Sequence, residues 1–216
     1  MKYNIIHWLI CLVSLFILTS CEDVEHQMQG HENHEGHVIK QDDASMSLFK
    51  EGSLYQVGSS WTTQDADAIV LGDLKGQFVV VAMTYTRCEF SCPLIVADMK
   101  AIKQAVPARD QRNVRMVLIT LDPERDQPEV MKAFATKNKL LPEQWTLLRG
   151  TADDVMEMAA LLGVRYKKMP DGEFSHANII TILDPEGEMV YQQNGLGVQM
   201  TTETSKALSV FLAESG

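Results

Sequence analysis

Cysteine is scarce in this chain of 216 residues: there are 4, at positions 11, 21, 88 and 92. The first two fall within or at the end of an apolar leader, so the body of the chain holds a single close pair. That excludes a disulfide scaffold, which needs several bridges. Basic charge is also short, with 19 Lys+Arg against 29 Asp+Glu and a net charge of −10. So acidic a surface repels phosphate backbones and argues against a nucleic-acid partner. Beyond the leader no apolar stretch is long enough to cross a bilayer. Histidine is rare as well: of 6 in the chain, only His176 lies beyond residue 50. There is no internal repeat.

What is present begins with Lys2 and an apolar stretch from Ile5 to Leu18, ending Leu18-Thr19-Ser20-Cys21. A positive residue, a short apolar core and small residues make a secretory signal. Leu-Thr-Ser-Cys resembles the lipobox of bacterial lipoproteins. That likeness implies loss of residues 1–20, a lipid on Cys21, and a domain on the extracytoplasmic (periplasmic) side of a membrane. The alternative, a plain transmembrane anchor, asks the same segment to span a bilayer at marginal length. Removing the leader takes away Lys2 and no acidic residue, so the mature part is more acidic still. In an oxidising compartment a lone cysteine pair is either a disulfide or kept reduced on purpose.

Residues 21–50 carry His26, His31, His34, His37 and Met28 among acidic residues, without apolar periodicity. Such a segment cannot offset the entropy of folding and is expected to be a disordered tether. Histidine-rich tracts also bind metals loosely, a secondary role beside that of a spacer.

Residues 51–216 alternate between strand and helix signals. Leu54–Val57 is expected as an edge strand and Phe78–Met83 as a buried central one. Helices are expected over Pro93–Val106, with Leu94, Ile95, Met99, Ile102 and Val106 near one face, and over Pro128–Asn138, with Val130, Met131 and Phe134 inward. Strands are expected at Val114–Thr120 and Trp145–Leu148. Thr151 caps a helix that runs to Leu162 and stops at Gly163. Ile179–Leu183, Asp184-Pro185-Glu186-Gly187 and Glu188–Tyr191 form a hairpin, and a last helix starts at Thr202 or Thr204. This order predicts an α/β domain, a mixed sheet with helices on both faces, of thioredoxin-like fold.

The cysteine pair stands in Thr86-Arg87-Cys88-Glu89-Phe90-Ser91-Cys92-Pro93, where the central strand hands over to a helix. Thiols there feel the positive end of the helix dipole, which favours thiolate. Residues four apart on a helix share a face, so the sulfurs can converge for disulfide exchange or on one metal. His176 precedes a hairpin strand, at the end of the sheet where ligand-binding loops collect. Two thiolates and an imidazole suit Cu(I), can hold Cu(II) and can hold zinc. A peroxiredoxin-type peroxidase would use one cysteine with Thr84 and Arg87, leaving Cys92 and His176 unexplained. The loop Asp122-Pro123-Glu124-Arg125-Asp126 reads either as a turn with Arg125 paired to a carboxylate, or as a support for the site.

Taken together, Asp73-Leu74-Lys75-Gly76, Tyr85-Thr86-Arg87-Cys88 running into Cys92-Pro93, Asp122 to Asp126, and His176 leading into Asp184-Pro185-Glu186-Gly187 resemble the Sco/SenC family of copper-handling proteins. The resemblance implies copper held by Cys88, Cys92 and His176. It further implies delivery to the binuclear copper site of the copper-binding subunit of cytochrome c oxidase, with a thiol reductant as a second partner. Some relatives act as thiol–disulfide oxidoreductases or redox sensors, so the family likeness leaves open whether the protein is an enzyme. Glu89-Phe90 stand where the family often has Pro-Asp, which makes the segment between the cysteines less stiff.

Cys21→Ser is expected to release the protein from membranes and to block normal processing, as read by fractionation and mass spectrometry. A variant that is processed normally and stays on the membrane would refute the lipoprotein assignment.

Overall fold

In the computed structural model, residues 52–215 are described. The leader, Cys21 and the tether with its four histidines lie outside them. After a 3-10 turn at Leu54–Gln56 the described chain forms two short strands, β1 (Ser60–Thr63) and β2 (Ala68–Val70), followed by β3 (Phe78–Thr84) and α1 (Ser91–Ala105). Then come β4 (Val114–Thr120), α2 (Pro128–Lys137), β5 (Trp145–Arg149) and α3 (Ala152–Leu161). A small hairpin, β6 (Tyr166–Lys168) and β7 (Phe174–His176), precedes β8 (Ile179–Leu183), β9 (Met189–Asn194) and α4 (Val198–Glu214).

All 7 residues of β3 are buried. A strand apolar on both faces must sit inside a sheet covered on both sides, and β3 does. The 7-stranded sheet runs β2-β1-β5-β4-β3-β8-β9, with β6-β7 forming a separate pair. β3, β4 and β5 are parallel, the registers including Phe78↔Val114 and Met116↔Trp145. The remaining neighbours in the sheet are antiparallel. Alternate side chains of β3 feed two cores. Phe78, Val80 and Ala82 pack with Ile95, Met99 and Ile102 of α1, Met131 of α2 and Leu208 of α4. Val79, Val81 and Met83 pack with Val155, Met158 and Ala159 of α3 and with Tyr55 and Trp61. Each fully buried aliphatic side chain is worth about 1.5–3 kcal/mol, so the two layers clamp β3 from both sides. This is the thioredoxin-like mixed sheet expected from the sequence. Among the described residues, no helix is long and apolar enough to cross a membrane.

Four local expectations change. Leu54–Gln56 is a 3-10 turn and not an edge strand, because Ser53 Oγ accepts the Tyr55 N–H and the Val57 N–H returns to the Leu54 carbonyl. The turn is tied to the β8–β9 connection by the Leu54 N–H to the Gly187 carbonyl, 2.9 Å. Gly187 has φ +88°, and a Cβ there would stand 2.6 Å from the Tyr55 ring, so only glycine fits. α1 starts at Ser91, two residues before Pro93, which still falls in the first turn. Leu94 and Val130 face solvent, 56% and 36% exposed, although the helical spacing placed both inward. The last helix starts at Val198, after Gly197 at φ 126°. Thr204 does not cap it: its hydroxyl lies 2.6 Å from Gln193 Oε1 and 2.9 Å from the Met200 carbonyl, inside the helix.

Candidate metal centre

β3 ends at Thr84, and Tyr85–Phe90 carry the chain to the first turn of α1. Helix N-termini leave free N–H groups that a Ser, Thr, Asp or Asn usually satisfies. Here the capping position is Phe90, whose side chain cannot accept a hydrogen bond. The sulfur of Cys88 takes that role and receives the Cys92 N–H at 3.4 Å. A thiolate at Cys88 is therefore bonded to the positive end of α1, while Cys92 sits in the first turn beneath it.

The far side of this loop is held by Asp126, which has no exposed surface. Its carboxylate accepts the Thr86 N–H at 3.0 Å and the hydroxyls of Thr86 and Thr120, each at 2.5 Å. Burial raises the Asp126 pKa, and these donors oppose that shift by favouring the charged form.

The imidazole arrives from another part of the chain. The β6–β7 hairpin pairs Tyr166 with His176 and puts the ring beside the cysteine loop. The Arg125 guanidinium donates to the Asp122 carboxylate and to the Gly172 carbonyl in the hairpin turn. Tyr85 adds a second clamp. Its hydroxyl donates to Glu173 Oε2 at 3.0 Å and accepts the Phe174 N–H at 3.3 Å. Its ring meets those of Phe174 and His176 edge-on, at 5.3 and 6.0 Å between centroids. The loop Asp122 to Asp126 thus fills both roles that its sequence allowed. Arg125 pairs with Asp122, and the loop also ties down each arm of the site.

These supports bring Cys88, Cys92 and His176 together, with the donor atoms all within 4.8 Å of one another. Cys92 Sγ is 3.6 Å from His176 Nε2. Ser91 Oγ sits between the partners, 3.3 Å from Nε2 and 3.7 Å from Cys88 Sγ. His176 Nδ1 lies 3.2 Å from the Ala177 carbonyl. A carbonyl only accepts, so Nδ1 carries the proton and Nε2 turns its lone pair toward the sulfurs. Burial lowers the His176 pKa, the Ala177 bond opposing, and so favours the neutral ring.

The two thiols are unequal. Burial pushes the Cys88 pKa up, but hydrogen bonds from the Cys92 amide and thiol and from the Phe90 amide, with the Tyr85 hydroxyl nearby, outweigh it and bring the value to about 7. Cys92 is fully buried, and burial, reinforced by the neighbouring Cys88, holds its thiol well above the ordinary range. Both cysteines are free. Metal–sulfur and metal–nitrogen bonds of about 2.3 and 2.0 Å in a trigonal plane require about 4.0 Å between sulfurs and about 3.7 Å from sulfur to nitrogen. The Cys92–His176 separation of 3.6 Å is close to the second of these, and no two of the donor atoms are more than 4.8 Å apart. Thr84 and Arg87, which a peroxidase would use, are buried at the end of β3 and exposed to solvent, respectively.

The sequence marked all three converging donors. It did not mark Ser91, Tyr85 or the Asp126–Thr86 link. A threonine two residues before the first cysteine, matched to an acidic residue just past the next parallel strand, was the available signal for that link.

Fold and cluster together define a thioredoxin-like protein with a dithiol–imidazole centre. Residues 52–207 match the SCO1/SenC family, and the chain belongs to that family. The SCO1 protein homolog of Bacillus subtilis (strain 168) is 29% identical over 140 residues, which cover 63% of this chain and 72% of that one. The crystal structure of Arabidopsis thaliana ScoI with copper bound is similar with a TM-score of 0.62 at 19% identity, covering 70% of this chain and 96% of that one. BsSco, a member of the Sco family of cytochrome c oxidase assembly proteins in which a disulfide switch was identified, is similar with a TM-score of 0.59 at 26% identity. It is covered to 90%, and this chain to 70%.

Alkylation of the reduced protein should report the unequal thiols. The Cys88 rate is expected to rise as pH climbs through about 7, because the thiolate is the nucleophile, whereas Cys92 should react only on unfolding. Mass spectrometry of iodoacetamide-treated protein across pH checks this. A Cys88 midpoint at 9.0, the ordinary thiol value, would contradict it.

Proposed function

We propose that the protein is a copper metallochaperone, anchored in a membrane by lipid on Cys21, with its domain on the extracytoplasmic side. Copper is held by the sulfurs of Cys88 and Cys92 and by His176 Nε2, and passes to the binuclear copper site of cytochrome c oxidase. One observation carries this reading: a neutral imidazole whose Nδ1 is tied to the Ala177 carbonyl aims Nε2 at two sulfurs, all three donors lying within 4.8 Å. Two thiolates and an imidazole are a soft donor set that favours Cu(I) and can hold Cu(II). Family membership supports the cargo and the destination, since one similar protein holds copper and another belongs to the oxidase assembly proteins.

Loading must displace the proton that burial keeps on Cys92, so copper uptake releases acid and tightens as pH rises. His176 and Ser91 are only partly buried, which leaves the rim of the site open to a ligand from the acceptor. In an oxidising compartment a thiol reductant must keep both sulfurs available.

A second reading, thiol–disulfide exchange, is favoured by the unequal thiols. Cys88 as thiolate would attack a partner disulfide and expel one partner thiolate. Cys92, once deprotonated, would then attack the Cys88 sulfur, closing the Cys88–Cys92 disulfide and releasing the second partner thiol. The same two sulfurs cannot be bridged and hold copper at once.

Anaerobic titration of the full chain separates the outcomes. Reduced protein is expected to bind one copper tightly and disulfide-oxidised protein essentially none, because oxidation removes both thiolates together. Equal tight binding by the two forms would overturn the assignment of the cysteines as ligands.

A further inference from the structure

A surface helix ordinarily keeps its charged residues on the solvent side. α1 does the reverse. Its charged residues are Asp98, Lys100 and Lys103, and each is tied to a neighbouring segment. Asp98 Oδ2 accepts the Gly197 N–H at 3.0 Å, just before α4. Lys100 Nζ donates to the Asn138 carbonyl at 2.7 Å. The buried Lys103 donates to the carbonyls of Gln111 and Val114, each at 2.7 Å. What faces solvent is Phe90 at the capping position, then Pro93, Leu94, Ala97 and Ala101. Steps of three and four residues link them, the spacing of one helix face. Phe90 is 85% exposed and Leu94 56%. The Asp98–Gly197 bond brings Val198, also 85% exposed, alongside them. α2, by comparison, exposes Glu129, Lys132 and Lys137. Single apolar residues on a surface need no explanation, but a contiguous apolar face does.

We infer that this face, given the metallochaperone reading on which it rests, is where the copper acceptor docks. Position fixes the occupant. Phe90 stands between the two ligand cysteines and next to Ser91, at the half-buried rim of the centre. Cys92 has no exposed surface and Cys88 is 9% exposed, so a donor atom from another protein reaches the metal over that rim. The protein that carries it must lie against one of two flanks, α1 or the β6–β7 hairpin. The hairpin flank exposes Lys167, Lys168 and Asp171, whose charges a close interface would have to strip of water. Along α1 the charges are already matched inside the fold. Arg87 and Glu89, both exposed, stand at the edge of the face and suit a polar rim around an apolar middle. Phe90 is then the aromatic anchor. The partner that fits carries soft copper ligands beside an uncharged apolar surface. A second copy of the chain fits poorly, because two bodies of net charge −10 repel each other.

The experiment follows Cu(I) from the loaded, reduced full chain to the metal-free copper-binding domain of the cytochrome c oxidase subunit, by stopped flow with the domain limiting. Bicinchoninate, a small chelator that needs no docking surface, is the second acceptor. Leu94→Glu and Ala97→Glu place a charge on the face without removing a ligand. Met156→Glu, on α3 and 59% exposed in the parent, is the control of equal charge. All three positions are exposed, and circular dichroism checks that the variants fold.

Transfer to the domain is expected to slow at least about tenfold in Leu94→Glu and in Ala97→Glu, the effect of one unmatched charge in an apolar interface. Phe90→Ala should slow it by a similar factor through loss of the anchor. Met156→Glu should match the parent. Leu94→Glu, Ala97→Glu and Met156→Glu should all give copper to bicinchoninate at the parent's rate. Unslowed transfer from Leu94→Glu and Ala97→Glu would overturn the docking face. Equal slowing toward bicinchoninate would move the effect to copper holding and overturn it as well. A parent dimer in sedimentation that Leu94→Glu splits would give the face to a second copy and overturn the acceptor as its occupant. A parent that binds copper and passes none to the domain would overturn the partner and leave the three ligands standing, whereas a parent that binds no copper would overturn the metallochaperone reading and the docking face together.

Discussion

The carboxylate of Asp126 is the interaction on which the centre depends. It has no exposed surface, and it is matched on both oxygens by Thr86 and by Thr120. A buried carboxyl is tolerable only when its oxygens are bonded in this way, and each such hydrogen bond is worth about 0.5–1.5 kcal/mol. The result is a rigid link from the end of β4 to the loop that carries Cys88. One residue earlier, Arg125 reaches in the other direction to the hairpin that carries His176. Donors 84 residues apart in sequence therefore owe their separation to neighbouring residues in a single loop.

That pre-organisation decides what the site is good for. Ordering a segment costs about 1–2 kcal/mol of backbone entropy per residue. Here folding has already met that cost, so a metal would meet donors in place. The same rigidity shapes the redox chemistry. One sulfur caps a helix and ionises near neutrality, while the other is buried and stays protonated. On the proposed reading, copper binding and disulfide exchange would draw on one geometry, with the oxidation state of the pair selecting between them.

The sequence made the parts built on apolar runs legible. β3, β4 and β8 are near-continuous hydrophobic segments, and Thr151 with Asp154 spells out a helix start that the structure reproduces. The three donors were legible too, because so few cysteines and histidines are available. What stayed hidden depends on contacts between distant segments. β1 and β6 are short and mostly polar, Ser60-Trp61-Thr62-Thr63 and Tyr166-Lys167-Lys168, and owe their existence to partner strands. Leu54 and Tyr55 look like strand residues by composition, but a serine cap and the Gly187 carbonyl bend them into a turn. Thr204 looks like a cap, but Gln193 claims its hydroxyl. The role of Asp126 required knowing that the ends of β3 and β4 are neighbours, which is a fact of topology and not of local pattern.

X-ray absorption spectroscopy of the copper-loaded full chain tests the three-donor centre most directly, because it counts the atoms bound to the metal. The expected copper environment has two sulfur scatterers and one imidazole nitrogen, with the nitrogen contribution lost in His176→Ala. A copper bound by nitrogen and oxygen alone, or a spectrum indifferent to His176→Ala, would contradict the centre described.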